Sequence, residues 1–151
     1  MLQLTKRTEY GLIALTHLTQ VGGAVCSVRE VCDHYPVPKR LMAEVLKDLC
    51  HARLILSHRG PSGGYSLARP PESISVGDVV AALEGHPSLT SCASLGLYVA
   101  HSCEVERVCP IRSPIETLRV EMWRLFTRTS LRDLVSVSPR TPALRALHGS
   151  I

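Results

Sequence analysis

The sequence predicts a mainly α-helical chain with one small β-hairpin, and three observations support this fold class. Apolar residues recur at helical spacing through the N-terminal third, a glycine-rich basic turn joins two short apolar strands within 54–67, and an amphipathic segment begins near residue 110. A short helix, a tight turn, a second helix and a hairpin form a winged helix-turn-helix. The complete prediction is a winged helix-turn-helix followed by a long dimerisation helix.

The first two helices are predicted from their N-terminal signals. Thr5 is a suitable N-cap for a helix that runs to about Gln20. Ser27 and Glu30 have the spacing of a capping box, in which each side chain binds a free backbone amide of the first turn. The second helix is short, because the prolines in Tyr35–Pro38 interrupt it.

The third helix and the hairpin complete the predicted module. Pro38 suits the first turn of a helix that continues with Lys39 and Arg40. Residues 54–57 and 65–67 then predict two strands around the turn His58–Gly64, which would form the wing.

Two capping motifs and a proline organise the rest of the chain. Ser75–Asp78 caps a fourth helix that ends near residue 84, and a longer helix starts at Pro110 or at the capping box Ser113–Glu116 and ends near Arg128. Ser130–Asp133 then opens a last turn. The predicted division is 1–85 for the winged helix-turn-helix, 86–109 for a cysteine-bearing loop, 110–138 for the dimerisation helix and final turn, and 139–151 for a loose tail.

Composition excludes several classes of protein. No stretch approaches the roughly 20 apolar residues that a membrane span needs, and the N-terminus lacks the apolar region of a signal peptide, so we expect a cytoplasmic protein without a membrane partner. The six cysteines would then remain reduced. Because the sequence contains no recognisable nucleophile motif, P-loop or paired acids, it does not predict an enzyme.

The positive charge is concentrated in the N-terminal part. Residues 1–69 contain nine Lys/Arg and five Asp/Glu, whereas residues 70–151 contain eight of each, so the whole excess of +4 lies before residue 70. A modestly basic surface would explain this excess, and so would contact with phosphate. Together with the helix-turn-helix pattern it predicts binding to double-stranded DNA. The predicted contacts are at the start of the third helix and in the wing: Lys39, Arg40, His58, Arg59, Ser62 and Gly63.

The long helix has an apolar seam. Ile115, Leu118, Met122 and Leu125 follow each other at spacings of 3, 4 and 3 residues, as in a coiled coil. An amphipathic helix that packs on its own core would show the same four positions. We favour a homodimer, because helix-turn-helix dimers bind two half-sites separated by whole helical turns.

Three cysteines lie close together in the segment 91–109. Cys92, Cys103 and Cys109 lack the tight C-x2–4-C pairs of structural zinc sites and the spacing of plant-type ferredoxins. Three thiolates in one loop are suitable ligands for a metal or an iron–sulfur cluster with one position left for another ligand. A disulfide switch and inert thiols are the alternatives.

Four segments together resemble the Rrf-two (Rrf2) family of bacterial winged-helix regulators, over about residues 1–135. Residues 4–12 are similar to the family's first helix, 37–49 to its recognition helix, 59–67 to its wing and 75–83 to the following helix. The wing segment Arg59–Leu67 is the most specific of these motifs. Three cysteines before a long helix complete the resemblance.

The resemblance implies a homodimer that binds a pseudo-palindromic operator and carries a 2Fe–2S or 4Fe–4S cluster on Cys92, Cys103 and Cys109. It also implies that Arg59 enters the minor groove. The implied function is transcriptional regulation, as a repressor controlled by a cluster that senses redox state, nitric oxide or iron and cluster status. The alternative is a cluster-free DNA-binding protein that responds to thiol oxidation or a small ligand.

The resemblance leaves the fourth ligand open. Some family members use a histidine three residues after the third cysteine, and Arg112 occupies that position here. Others use an acidic residue in the first helix of the partner subunit, and Glu9 occupies the matching place. Cys32, His34 and His101 are weaker candidates.

Overall fold

The computed structural model describes residues 3–86, 88–89, 105 and 108–136, and within them it confirms a mainly helical fold with one hairpin. The wing is the antiparallel pair of strands Ile55–His58 and Gly64–Leu67, and a 3-10 turn, Pro71–Ser73, follows it. The elements in chain order are α1 (Lys6–Gln20), α2 (Val28–His34), α3 (Lys39–His51), β1 (Ile55–His58), β2 (Gly64–Leu67), α4 (Val76–Leu83), α5 (Arg112–Arg128) and α6 (Leu131–Ser136).

Local capping fixes the helix starts as predicted. Thr5 accepts a hydrogen bond from the Thr8 amide at the start of α1. At α2 the Glu30 amide donates to Ser27 Oγ (3.2 Å) and the Ser27 amide donates to Glu30 Oε2 (2.6 Å), which is the predicted capping box. Ser75 and Asp78 form the same box at α4.

Two helix starts differ from the prediction. Pro38 is the N-cap of α3 and not a residue of its first turn, because its carbonyl accepts the first helical bond, from Met42 N (3.0 Å). The capping box predicted at Ser113 and Glu116 is wrong. The helix α5 already begins at Arg112, so both residues lie inside it, and Glu116 pairs with a residue one turn later.

The core is one hydrophobic cluster formed mainly by α1 and α3, with one residue each from α2, β1, α4 and α6 and others from the connecting segments. The fully buried Leu131 of α6 lies in this cluster, although about 50 residues separate it from α4. Backbone hydrogen bonds from Val76 N to Thr129 O (2.8 Å) and from Leu131 N to Ile74 O (2.9 Å) hold α6 beside the start of α4. The core residues are Ala14, Leu15, Leu18, Cys26, Val31, Val37, Met42, Val45, Leu46, Leu49, Leu54, Ile55, Ile74, Val79 and Leu131.

Some predictions concern residues that are not described. Most of the predicted cysteine-bearing loop, 86–109, and the whole predicted tail, 139–151, lie outside the described residues. Among the helices that are described, none has the length and apolar character needed to cross a bilayer.

Candidate nucleic-acid interface and cysteine site

The helix α3 has one buried and one exposed face. Met42, Val45, Leu46 and Leu49 pack into the core. The opposite face is exposed, and it carries the charged side chains. These are Lys39, Arg40, Glu44 and Lys47.

The start of α3 is unfavourable for a helix that serves only as structure. Its N-cap, Pro38, offers no side-chain hydrogen bond, and its first turn contains no acidic residue. Lys39 and Arg40 instead place two cations where the helix dipole disfavours positive charge, at a cost of about 0.3–1 kcal/mol each. A phosphate at this helix end would offset that cost, so the arrangement is typical of an anion-binding surface.

The four charged side chains of this face differ in their partners. Arg40 Nε donates a hydrogen bond to Glu44 Oε1 at 3.3 Å. Within the described part of the chain, neither Lys39 nor Lys47 takes part in an ion pair. Sequence reasoning missed Glu44, although its spacing of four residues from Arg40 is the signal that could have indicated the pair.

The wing presents a second basic site. Arg59 is exposed and has no ion-pair partner among residues 3–86 or the other described residues. The turn after it is closed by Gly63 N donating to Gly60 O (3.0 Å), and Gly60 has a φ of 116°. Ser62 is exposed in this turn, whereas His58 Nε2 lies 2.8 Å from Ser66 Oγ of β2. Of the four predicted wing residues, Arg59 and Ser62 are exposed, Gly63 closes the turn through its amide, and the His58 ring is hydrogen-bonded within the hairpin.

Contacts with the rest of the fold hold both basic sites in place. Arg7 of α1 forms an ion pair with Asp48 of α3. Cys26, before α2, exchanges two backbone hydrogen bonds with Tyr65 of β2, at 2.9 and 2.8 Å. The helix α3 and the wing are thus both attached to the N-terminal part of the chain.

The predicted metal ligands are only partly described. Cys92 and Cys103 lie outside the described residues, and so does His101. Cys109 is a partly exposed free thiol three residues before α5. Glu9 lies in the first turn of α1, its side chain is 34% exposed, and its Oε2 is 2.5 Å from Lys6 Nζ.

No metal centre is assembled by the described residues alone, since they contain no group of three or more His, Cys, Asp or Glu side chains suited to hold an ion. The donor chemistry of the two described candidates does fit an iron–sulfur cluster. Cys109 and Glu9 are both accessible, and thiolate and carboxylate both ligate iron. Of the predicted ligands, the structure thus describes two and shows no contact between them.

The other described cysteines have different environments. Cys26 lies in the core, and burial raises the pKa of its thiol. Burial also raises the pKa of Cys32, although nearby Lys39 opposes the shift. Cys50 packs against the core from α3. His34 contacts the rings of His17 and Tyr35, with centroid distances of 5.3 and 4.8 Å.

The predicted seam of α5 is partly exposed in the part of the chain that the structure describes. Leu118 is 54% exposed and Leu125 is 48% exposed, while Ile115 and Met122 are partly buried. Trp123 contacts the rings of His86 (4.8 Å) and Phe126 (6.5 Å). An apolar surface of this kind is available for a partner.

Comparisons with known proteins agree with this architecture. The family model Rrf2, described as iron-dependent transcriptional regulator, matches residues 4–137. The structure of the global cysteine regulator CymR of B. subtilis is similar, with 25% identity, a TM-score of 0.70 and coverage of 91% of this chain and 99% of that one.

Two further solved structures show the same fold. A putative transcriptional regulator from Listeria innocua has 25% identity and a TM-score of 0.69, and the match covers 90% of this chain and 88% of that one. IscR from T. potens has 22% identity and a TM-score of 0.65, and the match covers 99% of this chain and 94% of that one.

Proposed function

The chain belongs to the Rrf2 family of transcriptional regulators, and on that premise we propose that it is a repressor whose affinity for its operator is set by an iron–sulfur cluster. Regulators of this family bind DNA and act as dimers. The observation that carries the proposal is the partly exposed Cys109 thiol, three residues before α5 and in the same predicted loop as Cys92 and Cys103.

In this proposal the three cysteines and Glu9 of the partner subunit hold the cluster. The exposure of Cys109 and Glu9 supports this set, because ligands to a cluster shared between subunits cannot lie in one subunit's core. A bound cluster would supply iron and sulfide that oxidants or nitric oxide can attack.

The structure also offers a route from Glu9 to the DNA-binding surface. Glu9 lies in the same turn of α1 as Arg7, and Arg7 is paired with Asp48 of the recognition helix. Loss of the carboxylate ligand would change the constraints on that turn, and thus on α3. A change of ligation at the cluster would then alter the operator affinity, which needs such a difference in contacts between two states.

Anaerobic purification and reconstitution test the proposal. We expect iron, acid-labile sulfide and a visible charge-transfer spectrum in the wild type, and an operator affinity that changes when the cluster is lost. Cys92→Ala, Cys103→Ala and Cys109→Ala should each lose the cluster. Cys50→Ala is the matched control and should keep it. Wild-type protein without iron or sulfide after reconstitution would contradict the proposal.

The second candidate is a cluster-free regulator that responds to thiol oxidation or a small ligand. The similarity to CymR, described as a global cysteine regulator, favours it. In the thiol form, DNA binding would change on oxidation without any iron, and Cys109→Ala would abolish that response. Since Cys109→Ala loses the response under both candidates, the iron and sulfide content of the reconstituted wild type is the measurement that separates them.

A further inference from the structure

We propose that Glu44 is a specificity-determining residue, which holds the Arg40 guanidinium in position to read a guanine in the major groove and weakens binding to other sequences. The inference rests on the proposed DNA-binding function and goes beyond it, because it concerns which base is selected and how. It is independent of the cluster.

The position of the pair places it at the base edges. Arg40 is the second residue of α3, and the N-terminal residues of a recognition helix contact bases. Glu44 follows one turn later on the same face of the helix, and the side chains are 94% and 50% exposed, respectively. Neither side chain is needed to cover the core.

The geometry of the hydrogen bond leaves the two terminal amino groups of the Arg40 guanidinium available to a base. Arg40 uses Nε to donate to Glu44 Oε1. Its two terminal amino groups have no partner among the described residues, and they are the donors that fit guanine O6 and N7. A planar group fixed through Nε presents these donors in one direction.

Helix stability does not explain an acid at this place. An exposed i,i+4 pair contributes only about 0.3–0.5 kcal/mol. The carboxylate lies between Lys39 and Lys47 on the face that would meet a polyanion, where it repels phosphate and lowers the electrostatic affinity for any sequence. In the major groove the lower dielectric strengthens the attraction between Arg40 and Glu44. This attraction offsets the repulsion between Glu44 and the phosphates when Arg40 contacts a guanine.

The comparison of Glu44→Gln with Arg40→Ala tests the inference, by selection from a random DNA pool and by titration of selected and random duplexes. Wild type should enrich guanine at one position of each half-site, and Arg40→Ala should lose that preference. Glu44→Gln should lower the preference for guanine at the same position by about 5- to 10-fold, which is within the discrimination between bases that one bidentate contact provides. It should also bind random DNA more tightly, with a salt slope steeper by up to about one.

Asp33→Asn is the matched control. Asp33 forms an exposed i,i+4 pair with Arg29 on α2 at 3.4 Å, so its removal changes the charge equally without changing α3. It should leave the base preference unchanged, and circular dichroism should show that each variant is folded. Arg40→Lys, which keeps the charge and loses the planar fork, should lose the guanine preference as Arg40→Ala does.

Two results would overturn the inference while the proposed function stands. One is a Glu44→Gln variant that keeps the wild-type preference at the position that Arg40→Ala changes. The other is an Arg40→Ala variant that changes no base preference. If wild type itself enriched no sequence, the proposed DNA-binding function would fail instead.

Discussion

At the scale of single residues, Gly64 shows how little space separates the wing from the chain before α2. A Cβ atom at this position would lie 2.4 Å from the carbonyl oxygen of Cys26 and 2.6 Å from its carbonyl carbon. These are backbone atoms, so they cannot move aside as a flexible side chain does. The φ of Gly64 is not positive, so the position requires space and not an unusual backbone conformation.

We expect Gly64→Ala to destabilise the fold by about 1–3 kcal/mol, the usual cost of an inserted methyl group without room. Ser62→Ala, in the exposed turn of the same wing, should change stability by less than about 0.5 kcal/mol. Urea unfolding of the two variants measures the difference. Equal stabilities would show that the backbone contact at Cys26 relaxes freely.

At the scale of elements, Glu84 joins the end of α4 to the beginning of α1. Its Oε1 accepts from the Thr5 amide (2.9 Å) and from Thr5 Oγ1 (2.8 Å), so a carboxylate lies at the N-terminus of α1, where the helix dipole favours it. Burial raises the pKa of Glu84, but the nearby Thr8 side chain and the hydrogen bonds from Thr5 outweigh this effect, so the net pKa is lowered.

This lowered pKa predicts how the stabilisation by the contact between Glu84 and Thr5, the Glu84–Thr5 clasp, depends on pH. Because the folded-state pKa lies below the unfolded value of 4.5, the stabilisation is complete above that value and is lost as the pH falls through the folded-state pKa. Glu84 is exposed to solvent, so its contribution at pH 7 is small, about 0.5–1 kcal/mol. Glu84→Gln should remove it and weaken the acid dependence of the unfolding free energy between pH 6 and 3. If the unfolding free energies of wild type and Glu84→Gln fall in parallel on acidification, Glu84 does not make this contribution.

Elements that depend on local signals were predictable from the sequence. The capping boxes at Ser27 and Ser75 and the turn opened by Ser130 all formed, because their partners lie three residues away. The capping box predicted from the same spacing at Ser113 did not form, since a Ser and a Glu at this spacing also fit inside a helix. Contacts between distant residues had no such signal.

The Glu84–Thr5 clasp, which joins residues 79 positions apart, was not predicted, and neither was the Arg7–Asp48 pair. The arrangement of the candidate cluster site could not be predicted for the same reason, because its proposed ligands come from separate segments. The sequence could indicate their chemistry through residue type but not their arrangement in space.

At the scale of the whole molecule, the chain returns to its N-terminal module after α5. Leu131 of α6 is fully buried in the core beside α1, so the beginning and the end of the described chain fold together. Along the chain, α5 precedes α6, and it leaves two large leucines, Leu118 and Leu125, about half exposed. Among the described residues, α5 therefore has an apolar surface that the core does not cover.

We expect Leu118→Asp to convert the dimer into a monomer, because a carboxylate at the centre of an apolar seam would be buried without a partner. Sedimentation equilibrium measures the change. Since a dimer gains from engaging two half-sites at once, affinity for the complete operator should fall at least about 100-fold, whereas the weak affinity for a single half-site should be unchanged.

Leu56→Asp is the control for this experiment, because Leu56 of β1 is a leucine with almost the same exposure, 51%, on another surface. It should leave the protein dimeric. If both variants dissociate, exposure of a leucine is sufficient and the seam is not the interface. If Leu118→Asp remains dimeric, α5 packs on a surface of its own subunit, and the two recognition helices must be joined in some other way.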